Sequence, residues 1–343
     1  MKIGILTFHD GLNHGAYLQV FSTMTYLNSN FDNVEILNYK NKFHHRQEGW
    51  KQIFKYRNPI RIIDYLQKKA SFLKDQKRLT LTKFTTSHKK IKRLKFDIII
   101  IGSDVIWNSS IFGEDDIYFG NVFKCKQIAF SASFGWYKPD VIKYEYLKKS
   151  FKNFINISVR DIQSQKIVED ITNFKPQMNL DPTFIIDWKK YEKISSRITR
   201  LKPYILIYAY SLSDDEIKLI KVYAKKRDLI CISVGYRQKW CDKNIIDVGP
   251  FEWLGFIKQS QCIITSTFHG TIFSNIYNKP FCVSINKKNS ERIKSLLHEL
   301  DLKDNILPNI EQSLKHKPNN MYRLENKVTQ TKTWLLEAIS KIV

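Results

Sequence analysis

A chain of 343 residues exceeds the usual size of one domain, so we expect two compact units of roughly 150 to 200 residues each. Hydrophobic residues make up 43% of the chain, enough for a large core, yet its longest apolar runs fall far short of the ~18 residues that a membrane span requires. Lys and Arg number 56 against 33 Asp and Glu, and the formal net charge of +23 predicts an anionic partner: nucleic acid, an anionic membrane surface or a polyanionic glycan.

The N-terminus and the cysteines indicate the cellular compartment. The opening residues, MKIGILTF, are typical of a strand and lack the long apolar region and cleavage site of a signal peptide, so we expect a cytoplasmic protein. The five cysteines form no CxxC pair, and several lie in apolar runs where a free thiol packs as a small hydrophobe. Neither a disulfide framework nor a metal site is therefore predicted.

The first half of the chain alternates strand-like and helix-like runs, a pattern typical of parallel sheets with crossover helices. The predicted elements of this unit are strands at 2–7, 34–38, 97–101, 127–132 and 155–159 and a helix at 16–27. The unit ends near Pro182 to Trp188, so we assign residues 1–190 to an N-terminal α/β domain.

A strongly basic insertion interrupts this domain at residues 40–95, which hold 18 Lys/Arg and 3 Asp/Glu, a net charge of +15. Its segment GWKQIFKYRNPIRIIDYLQKKASFL interleaves aromatic and aliphatic residues with Lys and Arg, as do helices that lie on an anionic lipid surface. The alternative is that the apolar face of the segment packs on the first domain while its lysines are solvated.

The second half of the chain repeats the alternation. Its predicted elements are strands at 204–210, 229–234, 262–265 and 280–285 and helices at 214–227, 251–258, 271–278 and 290–300. We assign residues 191–320 to a C-terminal α/β domain and residues 321–343 to an amphipathic helix that packs back on the domains. The predicted fold class is α/β, with two doubly wound, Rossmann-like domains facing a cleft.

Ligands of such sheets bind outside the carboxyl ends of the strands, so polar residues that follow strands are candidate site residues. After the first strand, the stretch FHDGLNHGAYLQ places Asn13 and Gly15 at a helix start, where free backbone N–H groups and the helix dipole favour an anion. The alternative is that the glycines only shape a tight turn.

The stretch DIIIIGSDVIWN places four polar or aromatic residues after a fully apolar strand: Ser103, Asp104, Trp107 and Asn108. The Asp104 carboxylate is a candidate base for a sugar hydroxyl, and the Trp107 indole is a candidate platform for a sugar ring. The alternative for Asp104 is a helix cap.

Three further candidates follow later strands. Arg160, in SVRDIQS, either clamps an anion through its planar guanidinium or pairs locally. His269, between the strand CIIT and a helix, is a candidate acid or base, or else a buried or helix-capping histidine. Arg292, on the first turn of a helix, either shares an anion with backbone N–H groups or is a solvated surface charge.

The order and spacing of these stretches are similar to those of the polysaccharide pyruvyl transferase family. The motifs that carry the resemblance cover most of the chain: GILTFHDGLNHGAYLQ, DIIIIGSDVIWN, SASFG, SVRD, LDPTF, GPFEWLGFIKQSQCIITSTFHGTIFSNIYNKPF and SERIKSLL. The resemblance implies a GT-B-like fold and transfer of pyruvate, as a ketal, from phosphoenolpyruvate to sugar hydroxyls. Its conserved histidine falls on His269 and its earlier arginine on Arg160, whereas Thr267 stands where the family's motif has an arginine.

The resemblance also implies a mechanism and partners. His269 would protonate phosphoenolpyruvate, Asp104 would act as base, and Arg160 and Arg292 would hold the anionic groups. The substrate-binding candidates, including those next to the histidine, are Asn13, Gly15, Ser103, Trp107, Asn108, Arg160, Thr267, Phe268, Gly270 and Arg292. The N-terminal domain would hold the acceptor and the C-terminal domain the donor.

Phosphoenolpyruvate is expected as co-substrate, with no cofactor and no metal. The expected acceptor is a saccharide, including a lipid-linked oligosaccharide, which would be reached from the inner face of the plasma membrane. No nucleic-acid partner is expected, because no recognition motif for nucleic acid is present. The rival functions are a GT-B glycosyltransferase that uses a nucleotide sugar and a non-catalytic glycan-binding relative.

Overall fold

A computed structural model describes residues 1–47, 58–286, 290–315, 317–318 and 320–341. It contains two parallel sheets, each flanked by helices, which confirms the predicted α/β fold of two parallel-sheet domains. Residues 49–57, the first part of the segment predicted to face lipid, lie outside the described residues. No helix in the described part of the chain is long and apolar enough to cross a membrane.

The first sheet has six parallel strands in the order β2-β1-β3-β4-β5-β6. Their bounds are β1 Lys2–Leu6, β2 Asn33–Ile36, β3 Ile98–Ile101, β4 Lys126–Ala132, β5 Phe154–Val159 and β6 Gln177–Met178. All four isoleucines of β3 are buried because helices cover both faces of the sheet. The order reverses direction between β1 and β3, and at such a switch point loops separate and leave room for a ligand.

The second sheet has five parallel strands in the order β11-β10-β7-β8-β9. Their bounds are β7 Tyr204–Tyr208, β8 Ile230–Val234, β9 Lys243–Ile245, β10 Cys262–Thr265 and β11 Phe281–Val283. Every strand predicted from the sequence is present within two residues at each end. The short strands β6 and β9 were not predicted, because two or three residues with polar side chains carry no periodic signal.

Fourteen α-helices lie in the described residues. They are α1 His14–Asn28, α2 Lys42–Gln47, α3 Pro59–Gln76, α4 His88–Ile91, α5 Ser109–Phe112, α6 Tyr144–Phe151, α7 Ile162–Thr172, α8 Ser196–Thr199, α9 Asp214–Lys226, α10 Pro250–Gln259, α11 Phe268–Ile276, α12 Ser290–Glu299, α13 Ile310–Lys315 and α14 Met321–Ser340. Short 3-10 turns occur at Asp116–Phe119, Val141–Lys143, Pro182–Phe184 and Trp188–Lys190. Helix α11 begins three residues before the predicted start at 271, so His269 lies in its first turn.

One apolar core joins the two domains. Phe21 of α1 packs edge-on against Phe251 of α10, with ring centres 4.9 Å apart, and Trp188 packs against Phe273 at 5.2 Å. The C-terminal helix α14 returns to the first sheet, where Trp334 stacks on Phe130 at 6.1 Å. Because these contacts are apolar, burial of the interface stabilises one relative placement of the two sheets.

Helix α3, from the basic insertion, packs one of its faces on the second domain. Asp64 binds the Arg237 guanidinium through two contacts of 2.6 Å. One turn further on, Lys68 donates a hydrogen bond to the Gly235 carbonyl at 2.9 Å and lies 4.3 Å from the centre of the Tyr236 ring. Phe72 continues this face and is 1% exposed. The insertion thus bridges the domains instead of packing only on the first one.

Burial lowers the pKa of Lys68 from 10.5 to about 7. Above that pH the folded chain has released a proton that the unfolded chain still binds, so the contribution of Lys68 to stability rises with pH until about pH 10. We expect the free energy of unfolding of the wild type, minus that of Lys68→Met, to rise by about 1.4 kcal/mol per pH unit in this window. Urea denaturation at about pH 7 and pH 9 measures this difference, and Lys69→Met, on the exposed side of the same helix, serves as control. A difference that does not change with pH would contradict the lowered pKa.

Candidate active site

The carboxyl ends of strands from both sheets converge on one cluster of charged residues. Arg160 follows β5 of the first sheet, and Phe268 and His269 follow β10 of the second. The Arg160 guanidinium lies 4.7 Å from the centre of the Phe268 ring, and His269 lies 3.6 Å from Asp181 of the first domain. The structure therefore brings the predicted histidine and arginine together across the domain boundary.

Arg160 is the buried centre of the cluster. Its Nη2 donates to Asp104 Oδ1 at 3.0 Å, its Nη1 donates to the Asp181 carboxylate and to Ser103 Oγ at 3.2 Å, and its side chain is fully buried. Burial alone would lower the pKa of Arg160, but Asp181 and Asp104 raise it above its ordinary value. Both terminal amino groups are thus occupied by carboxylates. The predicted anion-clamping role is corrected to a local pairing role, since an anion would have to displace Asp104 or Asp181.

Asp104 is well suited to pairing and poorly suited to proton abstraction. Burial would raise the pKa of its carboxyl group, but Arg160, His269 and Arg292 together lower it. A carboxylate with a lowered pKa is a weak base, although it still accepts a hydrogen bond from a hydroxyl group. Its backbone is left-handed, with φ at 56°, and it caps none of the described helices.

Asp181 is a site residue that the sequence analysis missed. It lies in the LDPTF motif, where its Oδ1 accepts hydrogen bonds from the Thr183 N–H at 3.0 Å and from the Thr183 hydroxyl at 2.7 Å. Burial would raise the pKa of the Asp181 carboxyl group, but His269 and Arg160 lower it well below its ordinary range. An aspartate before a proline is typical of the start of a turn. Nothing in that pattern indicates that the carboxylate lies close to Arg160 and His269.

His269 lies in the first turn of α11 and is 6% exposed. Its Nε2 is 3.6 Å from Asp181 Oδ2, beyond hydrogen-bond distance, and has no hydrogen-bond partner among the described residues. A buried imidazole nitrogen without a partner is costly in a folded protein unless a ligand or water binds it. The nitrogen is thus available to a substrate.

Gly15 allows the ring of His269 to lie against the start of α1. A Cβ atom on Gly15 would meet His269 Cγ at 2.0 Å and His269 Cβ at 2.3 Å. The predicted role of Asn13 and Gly15, free N–H groups for an anion, is corrected: Asn13 Oδ1 accepts the Gly15 N–H at 3.0 Å and the Ala16 N–H at 3.2 Å. Asn13 caps the helix, and the missing side chain of Gly15 is what the histidine needs.

Arg292 supplies the positive charge that faces a ligand. Its guanidinium carbon lies 5.4 Å from the centre of the Phe268 ring and 5.8 Å from that of Trp136. Its Nε is buried and, within the described residues, has no hydrogen-bond partner and no carboxylate in an ion pair. Burial and the neighbouring Arg160 lower the pKa of Arg292. An anion bound to Arg292 would give its Nε a hydrogen-bond partner and would offset the burial and the repulsion from Arg160. The structure therefore favours the anion-binding role that was predicted for Arg292 over a solvated surface charge.

Thr267 and Gly270 shape the start of α11. Thr267 Oγ1 accepts the Gly270 N–H at 2.9 Å, as a helix cap does. A Cβ atom on Gly270 would lie 2.1 Å from Thr265 Oγ1 and 2.6 Å from Thr267 Oγ1. The predicted substrate contacts of these two residues are therefore corrected to structural roles. The first backbone N–H groups of a helix lack intrahelical acceptors, and here they lie beside Arg292 and His269.

The polar residues after β3 mainly form hydrogen bonds within the protein and support the structure around the site. Trp107 is fully buried and its Nε1 donates to the Tyr118 carbonyl at 3.0 Å, so the predicted sugar-stacking role is wrong. Asn108 is 1% exposed and caps α5 through a bond of 3.2 Å from the Ser110 N–H. Ser103 donates to the Ser131 carbonyl at 2.9 Å and accepts from Arg160. The turn after β3 is buried together with the strand, and the sequence pattern did not reveal this burial.

An exposed aromatic ring at the cluster comes instead from the second domain. Tyr210, just past β7, is 57% exposed and lies against Tyr236, with ring centres 4.6 Å apart and ring planes tilted by 55°. The charges of Arg292 and Asp104 both act on its hydroxyl group. The sequence analysis placed this residue at a strand end and assigned it no role. In the described part of the chain, no group of three His, Cys, Asp or Glu side chains could hold a metal ion.

We expect Gly15→Ala to reduce turnover roughly 100-fold, because the new methyl group forces the His269 ring about 1 Å or more from its position. The matched control is Gly11→Ala, where a Cβ atom would meet nothing within 4 Å. Steady-state rates with both variants, with far-UV circular dichroism as a check on folding, test this expectation. Equal rates for the two variants would show that the position of His269 against α1 is unimportant.

The overall fold is similar to that of several solved enzymes. The UDP-GlcNAc 2-epimerase of Methanocaldococcus jannaschii superimposes with a TM-score of 0.58 at 14% identity, covering 99% of this chain and 100% of the other. The UDP-GlcNAc 2-epimerase of Neisseria meningitidis gives 0.50 at 11% identity, with 99% and 100% covered. A putative UDP-N-acetylglucosamine 2-epimerase of Listeria monocytogenes gives 0.50 at 10%, with 98% and 97% covered. These likenesses show that the chain has the GT-B fold.

The sequence itself matches one family. No curated protein sequence matches the chain significantly. The sequence profile of the family described as polysaccharide pyruvyl transferase matches residues 13–289, a range that includes every strand of the two sheets except β1 and contains the cluster around Arg160 and His269. Because this match covers well over half of the chain, the protein belongs to the polysaccharide pyruvyl transferase family.

Proposed function

We propose that this protein transfers pyruvate from phosphoenolpyruvate to two hydroxyl groups of a saccharide, forming a cyclic ketal on a polysaccharide precursor. The observation that carries the proposal is the buried His269 Nε2, which has no hydrogen-bond partner among the described residues; the Nε of Arg292 has none there either, and the charges of both residues act on Asp104. A proton donor near an unneutralised cation fits a small anionic substrate that must be protonated on carbon.

The donor would lie between Arg292 and the first turn of α11. Its carboxylate and phosphate are both anionic, and a guanidinium and the N-terminal N–H groups of a helix both favour anions. Phe268 limits the space beneath Arg292. The position that the family's motif gives to an arginine is filled by Thr267, so Arg292 carries more of the binding here than two arginines would share.

The reaction balances with side chains of this chain alone. His269 gives its Nε2 proton to the methylene carbon of phosphoenolpyruvate, which becomes a methyl group and leaves C2 electrophilic. One sugar hydroxyl attacks C2 and the resulting C2–O bond is the first bond of the ketal. The second hydroxyl then attacks C2 as the bond from C2 to the phosphate oxygen breaks. Of the two protons that the sugar hydroxyl groups lose, one leaves with the phosphate and the other returns to His269, which restores the enzyme.

The acceptor would stack on Tyr210. An exposed aromatic ring beside the cluster offers an apolar face to a sugar ring, and the partly buried Tyr236 ring packs against it. The charge of Asp104 acts on the Tyr210 hydroxyl group. Asp104 would accept a hydrogen bond from the sugar hydroxyl group that attacks C2. We expect Tyr210→Ala to raise KM for the acceptor about tenfold and to leave phosphoenolpyruvate binding unchanged, whereas Tyr322→Ala, at a ring 79% exposed on α14, should change neither.

The test is calorimetric titration with phosphoenolpyruvate and, separately, with UDP-GlcNAc. We expect saturable binding of phosphoenolpyruvate that is lost in Arg292→Met and kept in Arg323→Met, an exposed arginine of α14. Phosphate release in the presence of candidate glycans then tests the transfer itself.

A second candidate function follows from the fold neighbours, two of which were solved with UDP-GlcNAc bound. Binding of UDP-GlcNAc without binding of phosphoenolpyruvate would assign the protein to enzymes that use nucleotide sugars. Binding of glycans without binding of either donor would indicate a non-catalytic relative.

A further inference from the structure

Helix α3 has two faces of different character. The face toward the second domain holds Asp64, Lys68, Phe72 and Asp75. The opposite face carries a stripe of apolar side chains, which we call the α3 stripe: Ile60 at 53% exposed, Ile63 at 53%, Leu66 at 48% and Leu73 at 50%. Spacings of three and four residues keep such side chains on one side of a helix. The stripe runs from Ile60 to Leu73 within a helix of 18 residues, so it extends over about 20 Å.

The charges of α3 are divided between the same two faces. Its two acidic residues both point inward: Asp64 binds Arg237, and Asp75 accepts the Phe251 N–H at 3.5 Å. Two exposed lysines accompany the stripe: at 100° per residue, Lys69 lies at one edge of it and Lys74 lies between Ile63 and Ile60. The outward face of α3 therefore combines apolar side chains with positive charge and no carboxylate.

We propose that the α3 stripe binds the surface of a lipid bilayer that carries anionic headgroups. Apolar side chains accompanied by lysines match the boundary between acyl chains and anionic headgroups. Charge complementarity supports this occupant over a second copy of the chain, because residues 40–95 hold 18 Lys/Arg against 3 Asp/Glu and two such faces would repel each other. In the described part of the segment predicted from the sequence to lie on lipid, Ile60, Ile63, Leu66 and Leu73 are exposed, whereas Phe72 is buried.

Anchoring of the inward face makes the surface a rigid part of the enzyme. Phe72, Lys68 and the bidentate pair of Asp64 with Arg237 fix α3 to the second domain. A bilayer bound at α3 therefore binds the whole molecule in one orientation. This inference goes beyond the proposed function, since it concerns where the protein works and requires no particular donor.

Cosedimentation with vesicles tests the proposal. The full chain is mixed with vesicles of phosphatidylcholine alone or with about one third phosphatidylglycerol, at physiological ionic strength. We expect binding to the anionic vesicles only, weakened roughly 10- to 100-fold in the double variant Ile63→Ser/Leu66→Ser because two side chains no longer leave water. The matched control is Val222→Ser, an apolar residue 67% exposed on α9, which should bind as the wild type does.

Three results would overturn the proposal. The first is no binding to anionic vesicles, and the second is equal binding by the double variant. The third is a dimer by light scattering that dissociates in the double variant, which would assign the stripe to a second copy of the chain. His269→Ala should bind vesicles normally, so a failed membrane test and a failed test of the proposed reaction can be told apart.

Discussion

His269→Ala is expected to lower turnover of phosphoenolpyruvate by a factor of about 10² to 10⁴, the usual contribution of a positioned acid. The imidazole lies between the two domains, and in the described part of the chain its Nε2 has no hydrogen-bond partner; the Asp181 carboxylate oxygen is 3.6 Å away. Alanine removes the proton donor but leaves Arg292 and the start of α11 in place. Donor binding should therefore be nearly unchanged while the rate falls, a split that a loss of folding would not produce.

The measurements are phosphate release under saturating acceptor and calorimetric binding of phosphoenolpyruvate. His298→Ala is the matched control, because His298 is an exposed histidine at the end of α12. His269→Gln keeps a hydrogen-bonding side chain and cannot donate a proton to carbon, so it should be as slow as the alanine variant. A rate within about threefold of the wild type in either His269 variant would exclude the histidine as the acid.

The elements that form the fold could be predicted well from the sequence. Runs such as IIII at 98–101 and CIIT at 262–265 are buried on both faces, and an uninterrupted apolar run of that length is a strong signal for a parallel strand. His269 and Arg292 could be named as candidates because each follows or begins an element at the strand ends where ligands of such sheets bind.

The errors share one physical cause: a side chain's role depends on what reaches it from distant parts of the chain. Trp107 stands at a strand end, yet Phe134 and Phe151 enclose its ring. Arg160 has the expected position, but Asp104 and Asp181, 56 and 21 residues away along the chain, neutralise it. Thr267 replaces a charged residue and is used as a helix cap. The contacts of Trp107 and Arg160 are not local, so no spacing rule could reveal them, whereas the cap at Thr267 is local.

The cluster around Arg160 has a larger consequence for stability than for binding. Two buried carboxylates share one guanidinium, and the removal of the shared cation leaves both of them buried without their arginine partner, although Asp181 keeps its hydrogen bonds from Thr183. Breaking a buried ion pair costs about 3–5 kcal/mol. We therefore expect Arg160→Met to lower the free energy of unfolding by about that amount at neutral pH. Urea denaturation measures it, with Arg197→Met as control, since Arg197 is partly exposed where it pairs with Asp247 and Glu252 and its loss should cost about 1 kcal/mol or less.

The pH dependence of the free energy of unfolding tests the same ion pairs independently. Arg160 and His269 hold the pKa values of Asp104 and Asp181 below their ordinary range despite burial. These carboxylates therefore stabilise the wild type above about pH 4, the pKa of an unfolded aspartate, and the contribution is lost as the pH falls toward their folded pKa values. In Arg160→Met the two pKa values should rise, so the variant should lose less stability than the wild type between about pH 5 and pH 3.

Adding Asp181→Asn to Arg160→Met should recover part of the loss at neutral pH, because one unpaired charge is removed. A loss below about 1 kcal/mol in Arg160→Met would instead show that the guanidinium is not needed by its carboxylates, which would leave Arg160 available to an anionic substrate, as the sequence first suggested.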